Sequence, residues 1–347
     1  MELMEACVYV GDGVLEVQDV PVPAPGPGDV LIEIAQCGIC GTDLHLVLGR
    51  IARPGTVLGH EWAGTITATG EGVDGWSVGQ RVVCGPAPGC GECRACRADR
   101  PSVCLRRPPT DHLAFRGAFA RYVVAPATQL VGVPEHLPSR AAALTEPTAV
   151  ALHAVTLSRV TPDDRVLVTG AGPVGLLVTA VLRAQGVRDI TVSEPAPARR
   201  ERALAVGAAR TVTPDSLPTP SMGSPVPEPY TVVFECSGNA SGGEAAIDQL
   251  DFAGVCVLVG TGHDFPRLNH NRVIVLENTI IGSYNYDAGG FAPALELLAS
   301  GRMPLDELIE PVDVFLDELL PVMQRCVAGE LPGKVMVRPR RSEGAAP

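Results

Sequence analysis

The stretch Cys37-Gly-Ile-Cys40-Gly-Thr42-Asp43-Leu-His45 places two thiols, a hydroxyl, a carboxylate and an imidazole within nine residues. A Cys-x-x-Cys pair serves redox exchange and metal binding alike, so its spacing leaves both chemistries open. Downstream, Leu-Gly-His60-Glu61 adds an imidazole and a carboxylate, and Leu-Thr-Glu146-Pro adds another carboxylate. A thiolate, an imidazole and a carboxylate from three distant segments would hold one ion and leave a fourth position open, as catalytic zinc requires.

A second cluster is more compact. Cys90, Cys93, Cys96 and Cys104 fall within fifteen residues at spacings of two, two and seven. Four thiolates so spaced can wrap one tetrahedral ion, the closed pattern of a structural zinc. Ferredoxin-type clusters share the Cys-x-x-Cys-x-x-Cys run, but they place proline directly after the last cysteine, where this chain has Leu105. A site with four protein ligands has no room for substrate, so the expectation is a zinc that holds a loop in shape.

The third feature is Gly170-Ala-Gly172-Pro173-Val174-Gly175, preceded by the apolar run Val-Leu-Val and followed by a helical pattern. In this context the G-x-G-x-x-G spacing reads as a dinucleotide turn. Gly170 permits the tight bend, Gly172 lets the pyrophosphate approach the backbone at a helix N-terminus, and Gly175 lets helix and strand pack closely. An acid is expected about 20 residues on, at the end of the next strand. Glu194 stands there, nineteen residues past Gly175. A carboxylate at that point accepts from the ribose hydroxyls and repels a 2′-phosphate, which favours NAD over NADP. Arg199 and Arg200 come soon after, and either could neutralise such a phosphate if the loop turned.

These groups need elements to position them. Up to about residue 145, short β segments punctuated by Gly and Pro (DVLIEIAQCG, WAGTITATGEG, QRVVCG, AFARYVVAP) predict an antiparallel, barrel-like domain. From TEPTAVALHAV the pattern becomes helical and then alternates strand and helix, as a parallel sheet demands. Residues 214–230, rich in proline and serine, exclude a regular helix and predict an exposed loop. A helix over FAPALELLASG and a final strand, KVMVRP, close the pattern, and the tail RRSEGAAP reads as disordered.

At 347 residues, with 46% hydrophobic and 19% charged, the chain can fill two cores. A net charge of −12 argues against nucleic acid or an anionic membrane as partner. No apolar run reaches the roughly 20 residues that span a bilayer, and the acidic N-terminus lacks a signal-peptide pattern. The expected compartment is the cytoplasm. Eleven cysteines in a reducing compartment point to metal rather than disulfides. Lys334 is the only lysine, and the other basic residues are arginine.

In this order GICGTDLH, GHEWAG, the four-cysteine lobe, EPTAVALHAV and GAGPVG resemble the zinc-dependent medium-chain alcohol dehydrogenases, most of all the branch of butanediol, sorbitol and threonine dehydrogenases. The resemblance extends to about Val337. It implies an α/β protein in two parts. One is a GroES-like β-barrel catalytic domain, residues 1–148 completed by 284–347. The other is a Rossmann, doubly wound parallel-sheet cofactor domain over residues 149–283. It also implies one catalytic and one structural zinc per chain, and a homo-oligomer, dimer or tetramer.

By position, Cys40, His60 and Glu146 match the family's catalytic zinc ligands. Glu61 matches an acid beside the metal that can exchange with water as a ligand, and Asp43 an acid that bonds a ligand histidine. Thr42 matches the hydroxyl that takes the alcohol proton, and His45 the imidazole that passes it on. Cys37 matches no ligand and is expected to be a packed thiol. The activity implied is reversible oxidation of a secondary alcohol, diol or polyol to the ketone with hydride transfer to NAD. Biosynthetic oxidation of a cyclitol or amino sugar, and a non-catalytic NAD- and zinc-binding role, are the alternatives. Leu46, Leu48, His112, Phe115 and Asn285 are candidates for the substrate pocket.

Overall fold

A computed structural model describes residues 2–85, 89–106, 117–221, 223–262, 264–287 and 290–340. His112 and Phe115 lie outside the described residues. The chain forms two compact units. The first comprises Met1–Glu146, Phe291–Ala299 and Ile309–Pro347, and the second Pro147–Gly290 with Ser300–Leu308. No described helix is long and apolar enough to cross a membrane.

The first unit is built on the strand Asp29–Gly38. Val30, Ile32 and Ile34 alternate into its core at 0–3% exposure, each contributing on the order of 1.5–3 kcal/mol by burial. The strand pairs antiparallel with Glu61–Thr69 on one side, and on the other with Tyr122–Pro126 and then Met336–Arg338. Register sets which distant segments meet. Gly38 pairs with Glu61 across one edge and with Met336 across the other, so the C-terminal strand comes within reach of the His60–Glu61 segment. Arg81–Cys84 and Leu130–Gly132 extend the sheet, while Leu3–Gly11, Val14–Pro21 and Thr56–Val57 form a second, antiparallel sheet.

Asp313 anchors the returning C-terminal segment. It accepts from Gln36 Nε2 at 2.9 Å, Arg140 Nε at 2.7 Å and Arg338 Nε at 2.9 Å.

The second unit is a six-stranded sheet in the order Arg210–Val212, Asp189–Ser193, Arg165–Thr169, Tyr230–Glu235, Leu250–Leu258, Thr279–Gly282. Every pairing is parallel. Counted within the unit, this is the 3-2-1-4-5-6 order of the doubly wound dinucleotide fold, whose switch point falls beside its first strand. The glycine turn comes directly after that strand.

Residues 214–230 contain one short 3₁₀ turn, Pro214–Ser216, and no α-helix among the described residues. The segment is mostly exposed, but Val226 is buried, and Arg272 holds it from within. That guanidinium, 1% exposed, donates to the carbonyls of Ser221 and Ser224 at 2.9 and 2.7 Å, and to that of Asp248 at 3.0 Å. Proline-rich backbone has few amides to bond with itself, so a buried arginine supplies the missing donors.

Candidate metal centres and dinucleotide turn

Cys40 precedes the helix Gly41–Leu48 as its N-cap, and His60 precedes the strand Glu61–Thr69. One buried carboxylate ties these two segments together. Asp43 Oδ2 accepts from the Cys40 amide at 2.9 Å, and Oδ1 accepts from the Gly59 amide at 3.2 Å and lies 3.7 Å from His60 Nδ1. Gly59 has φ +93°, and a side chain there would run into Phe119 and the Cys37 thiol, so only glycine allows this approach.

The result is a group of metal-capable atoms. The Cys40 thiol, a ring nitrogen of His60 and a carboxylate oxygen of Glu61 all lie within 4.8 Å of one another. Glu61 is 1% exposed; its Oε1 accepts from Lys334 Nζ at 2.7 Å, while its Oε2 is buried without a hydrogen-bond partner. A buried, unsatisfied carboxylate oxygen is costly unless something electropositive meets it. Gly38 makes room for it, because a Cβ there would collide with Glu61 Oε2.

The electrostatics agree. Burial pulls the His60 imidazole down, but Cys40, Asp43 and Glu146 outweigh it and hold its pKa well above the ordinary value. Burial, against the pull of His60 and reinforced by Glu61, pushes Glu146 to about 7. Anions gathered around one imidazole suit a cation, and a thiolate–imidazole–carboxylate donor set suits zinc. Glu146, on the first turn of the helix Thr145–Ser158, is close enough to feel these charges but lies outside the three-residue group.

Thr42 is exposed on the first turn of its helix and His45 is half-buried, one turn on along the same face. Leu46 is buried and Leu48 half-buried on that helix, while Asn285 belongs to the second unit. Cys37 is fully buried, and its thiol donates to the Gly38 carbonyl at 3.6 Å. Burial, helped by the charge of Asp43, pushes its pKa well up, opposite to what a reactive dithiol needs. Sequence reasoning misses Lys334 as a site residue. The one signal it offers is its type, as the sole lysine in a chain that otherwise uses arginine.

The four lobe cysteines also meet. All four sulfurs lie within 4.8 Å of one another, with Cys90–Cys96 at 3.9 Å and Cys93–Cys104 at 4.0 Å. A tetrahedron with ~2.3 Å zinc–sulfur bonds has edges of about 3.8 Å. Backbone amides point at the sulfurs, Cys93 N to Cys90 Sγ at 3.3 Å and Cys96 N to Cys93 Sγ at 3.5 Å. The Cys96 amide, with that of Leu105, lowers Cys93 to about 6, favouring the thiolate that binds metal.

In the second unit Gly170 takes φ +89°, and a Cβ there would strike the backbone of Ser237. A Cβ on Gly175 would strike the Gly170 carbonyl, whereas one on Gly172 would meet nothing within 4 Å. Open space at Gly172, the N-cap of the helix Pro173–Ala184, is what a pyrophosphate needs. Pro173 and Val174 form the first turn of that helix. Glu194 is buried at the end of its strand, accepting from Ala171 N at 2.8 Å through Oε2 and from Ala196 N at 3.0 Å through Oε1. It therefore braces the glycine turn itself. Arg200 is tied to the same loop, donating to the carbonyls of Glu194 and Pro195 at 2.8 and 2.6 Å, and Arg199 is half-buried beside it.

Both halves of this architecture have relatives. Residues 26–135 match the alcohol dehydrogenase GroES-like domain, and residues 173–300 match the zinc-binding dehydrogenase domain. The L-threonine 3-dehydrogenase of Stenotrophomonas maltophilia (strain K279a) is 34% identical over 275 residues, 77% of this chain and 80% of that protein. A Sinorhizobium meliloti 1021 protein solved with bound NADP superimposes with a TM-score of 0.88 at 30% identity, over 98% of this chain and 100% of that one. The 2R,3R-butanediol dehydrogenase of Bacillus subtilis gives 0.85 at 29% identity, over 97% and 100%. The chain belongs to the zinc-dependent medium-chain alcohol dehydrogenase family. It is an NAD(P)-dependent oxidoreductase that uses zinc and acts on a small-molecule alcohol.

Proposed function

We propose that the chain catalyses reversible oxidation of a secondary alcohol, diol or polyol to the ketone, with NAD as the preferred hydride acceptor. The observation that carries this reading is the meeting of Cys40, His60 and Glu61, with Glu61 Oε2 buried and without a hydrogen-bond partner.

Cys40 and His60 would hold the catalytic zinc together with one carboxylate at a time, Glu61 or Glu146, Glu61 exchanging with water so that one position stays open to substrate. Cys90, Cys93, Cys96 and Cys104 would hold the structural one. Bound zinc supplies Lewis acidity at the alcohol oxygen, and bound nicotinamide supplies the hydride acceptor. Thr42 Oγ1, exposed at the start of its helix, takes the alcohol proton, and His45, one turn later, relays it to solvent. Asp43 fixes the His60 ring.

Met1–Glu146 with Phe291–Ala299 and Ile309–Pro347 would be the catalytic domain and Pro147–Gly290 with Ser300–Leu308 the cofactor domain, so residues 147–148, 284–290 and 300–308 fall to the cofactor side of the bounds expected from the sequence. Gly170, Gly172, Pro173, Val174 and Gly175 cradle the pyrophosphate. Glu194 faces the ribose while bracing the turn, with Arg199 at its edge. The likeness to threonine and butanediol dehydrogenases supports a substrate bearing a hydroxyl beside a second polar group. The protein works as a cytoplasmic homo-oligomer, and its net charge of −12 supports neither nucleic acid nor an anionic membrane as partner.

Initial rates on diols, polyols, cyclitols and amino alcohols including L-threonine, each with NAD and NADP, test the assignment. Turnover of a vicinal hydroxyl compound with NAD supports it. No turnover of any alcohol by zinc-replete protein would overturn it.

A further inference from the structure

Lys334 is 2% exposed, and its ammonium donates to Glu61 Oε1 at 2.7 Å and to the Ile39 carbonyl at 3.0 Å. It arrives through strand register. Gly38 lies between Glu61 and Met336, and Lys334 stands two residues before Met336. Gly38 is essential to the fit, since a Cβ there would strike Glu61 Oε2 and come 3.2 Å from Lys334 Cδ. Both partners are buried, so neither charge is tolerable without the other or a substitute. Glu61 thus has one oxygen committed to a lysine and the other buried without a hydrogen-bond partner, and its carboxylate belongs to the metal-capable group.

We propose that Lys334 is a positioning residue that competes with the cleft zinc for Glu61, holding Oε1 so that the carboxylate offers the metal one oxygen and a loosened grip. This rests on reading Cys40, His60 and Glu61 as zinc ligands. Without the ammonium, Glu61 loses the cation hydrogen-bonded to it and lies buried near Cys40, Asp43 and Glu146, so bound zinc does more to neutralise it. Anything that destabilises the metal-free state more than the loaded state strengthens metal binding by linkage. The freedom regained by one glutamate side chain opposes this but is the smaller effect, because charges buried this deeply are poorly screened. A carboxylate restrained to one oxygen also keeps the fourth zinc position available to substrate.

The test is the rate at which zinc-loaded enzyme gives up its cleft zinc to the chromogenic chelator pyridylazoresorcinol. It compares wild type, Lys334→Met, Lys334→Arg, Glu61→Gln and the double variant Glu61→Gln/Lys334→Met. Lys334→Met should release zinc at least ten-fold more slowly than wild type, and Lys334→Arg at close to the wild-type rate. In the Glu61→Gln background the lysine has no carboxylate to hold, so adding Lys334→Met should change the rate less than three-fold. The thiolate-to-metal band of cobalt-substituted Lys334→Met should shift as Glu61 engages the metal more closely.

A folded Lys334→Met with unchanged or faster release and an unchanged cobalt band overturns the proposal, as a purely structural lysine would behave that way. If Lys334→Met does not fold, the neutral double variant decides. A large rate difference from Glu61→Gln alone would show that the lysine does not act through Glu61 and would overturn it. Wild type holding only the lobe zinc would instead overturn the underlying ligand reading.

Discussion

Asp43 and His60, seventeen residues apart, are held together by one buried carboxylate oxygen 3.7 Å from the ring nitrogen Nδ1. The other oxygen of Asp43 accepts from the amide of Cys40. A single side chain with no solvent exposure therefore sets the spacing of two segments, carrying the metal-capable Cys40 and His60, that the sequence leaves far apart. Burial, only partly offset by His60, raises the pKa of Asp43, so this carboxylate depends on its partners to stay charged.

The proposed proton path gives Thr42 and His45 different roles. Thr42→Ala should keep both zinc ions and lose the first acceptor of the alcohol proton, lowering kcat by roughly 10²–10⁴-fold. His45→Ala should be milder and regain rate with added buffer base, because solvent and buffer can replace an outer relay. Steady-state rates at several imidazole concentrations separate the two. Equal losses without rescue in either variant would contradict the order of the path.

Cys37→Ser should retain zinc and nearly all activity. The new hydroxyl can keep the contact with the Gly38 carbonyl, and burying it costs roughly 1–3 kcal/mol at most. Thermal melts and rates measured side by side check this. Loss of activity as complete as in Cys40→Ala, with zinc still bound, would restore the dithiol reading.

Glu194→Ala removes the proposed acceptor for the ribose and also the brace on Ala171 N and Ala196 N. Both cofactors should therefore bind more weakly, NAD more than NADP, since repulsion of a 2′-phosphate is lost as well. The ratio of kcat/KM for the two cofactors reads the difference. An unchanged ratio would mean that the acid serves the turn alone.

Asp313 gives a pH dependence with a definite sign. Burial works to raise its pKa, but hydrogen bonds from Arg140 and Gln36 outweigh it and hold it below the ordinary 3.8. A depressed folded-state pKa contributes stability that is fully present above the unfolded value and lost as pH falls through the folded one. Asp313→Asn should cost roughly 1–3 kcal/mol at pH 7, and the gap from wild type should close below about pH 3.8. Denaturant midpoints across that range measure it, and a gap constant with pH would contradict the charge argument.

Much of this architecture is legible in the residues. The alternation in DVLIEIAQCG, the glycine turn and the cysteine spacing each carry their own period or stereochemistry, and the strands and clusters form where those patterns stand. The parts that cannot be read locally depend on distant segments. Nothing near Lys334 announces that it will be buried 273 positions from Glu61, because that contact comes from strand register around Gly38. Arg272, in the short helix His270–Val275, likewise carries no local sign of burial, which comes from carbonyls that the proline-rich loop cannot satisfy itself. The helix Gly41–Leu48 escapes sequence reading because eight residues with a glycine start give little periodic signal. Glu194 reads as a ribose acceptor from its place after a strand, while its bonds to two loop amides emerge only in the folded turn.

Everything proposed for the Cys40–His60–Glu61 group depends on a catalytic zinc held there, separate from the zinc of the cysteine lobe. The decisive experiment is the zinc-to-chain ratio, by elemental analysis, of wild type and Cys40→Ala purified without chelator. Wild type should carry two zinc ions and Cys40→Ala one, in the lobe, with turnover of the variant at background. Two zinc ions in both proteins, or one in wild type, would refute the catalytic zinc.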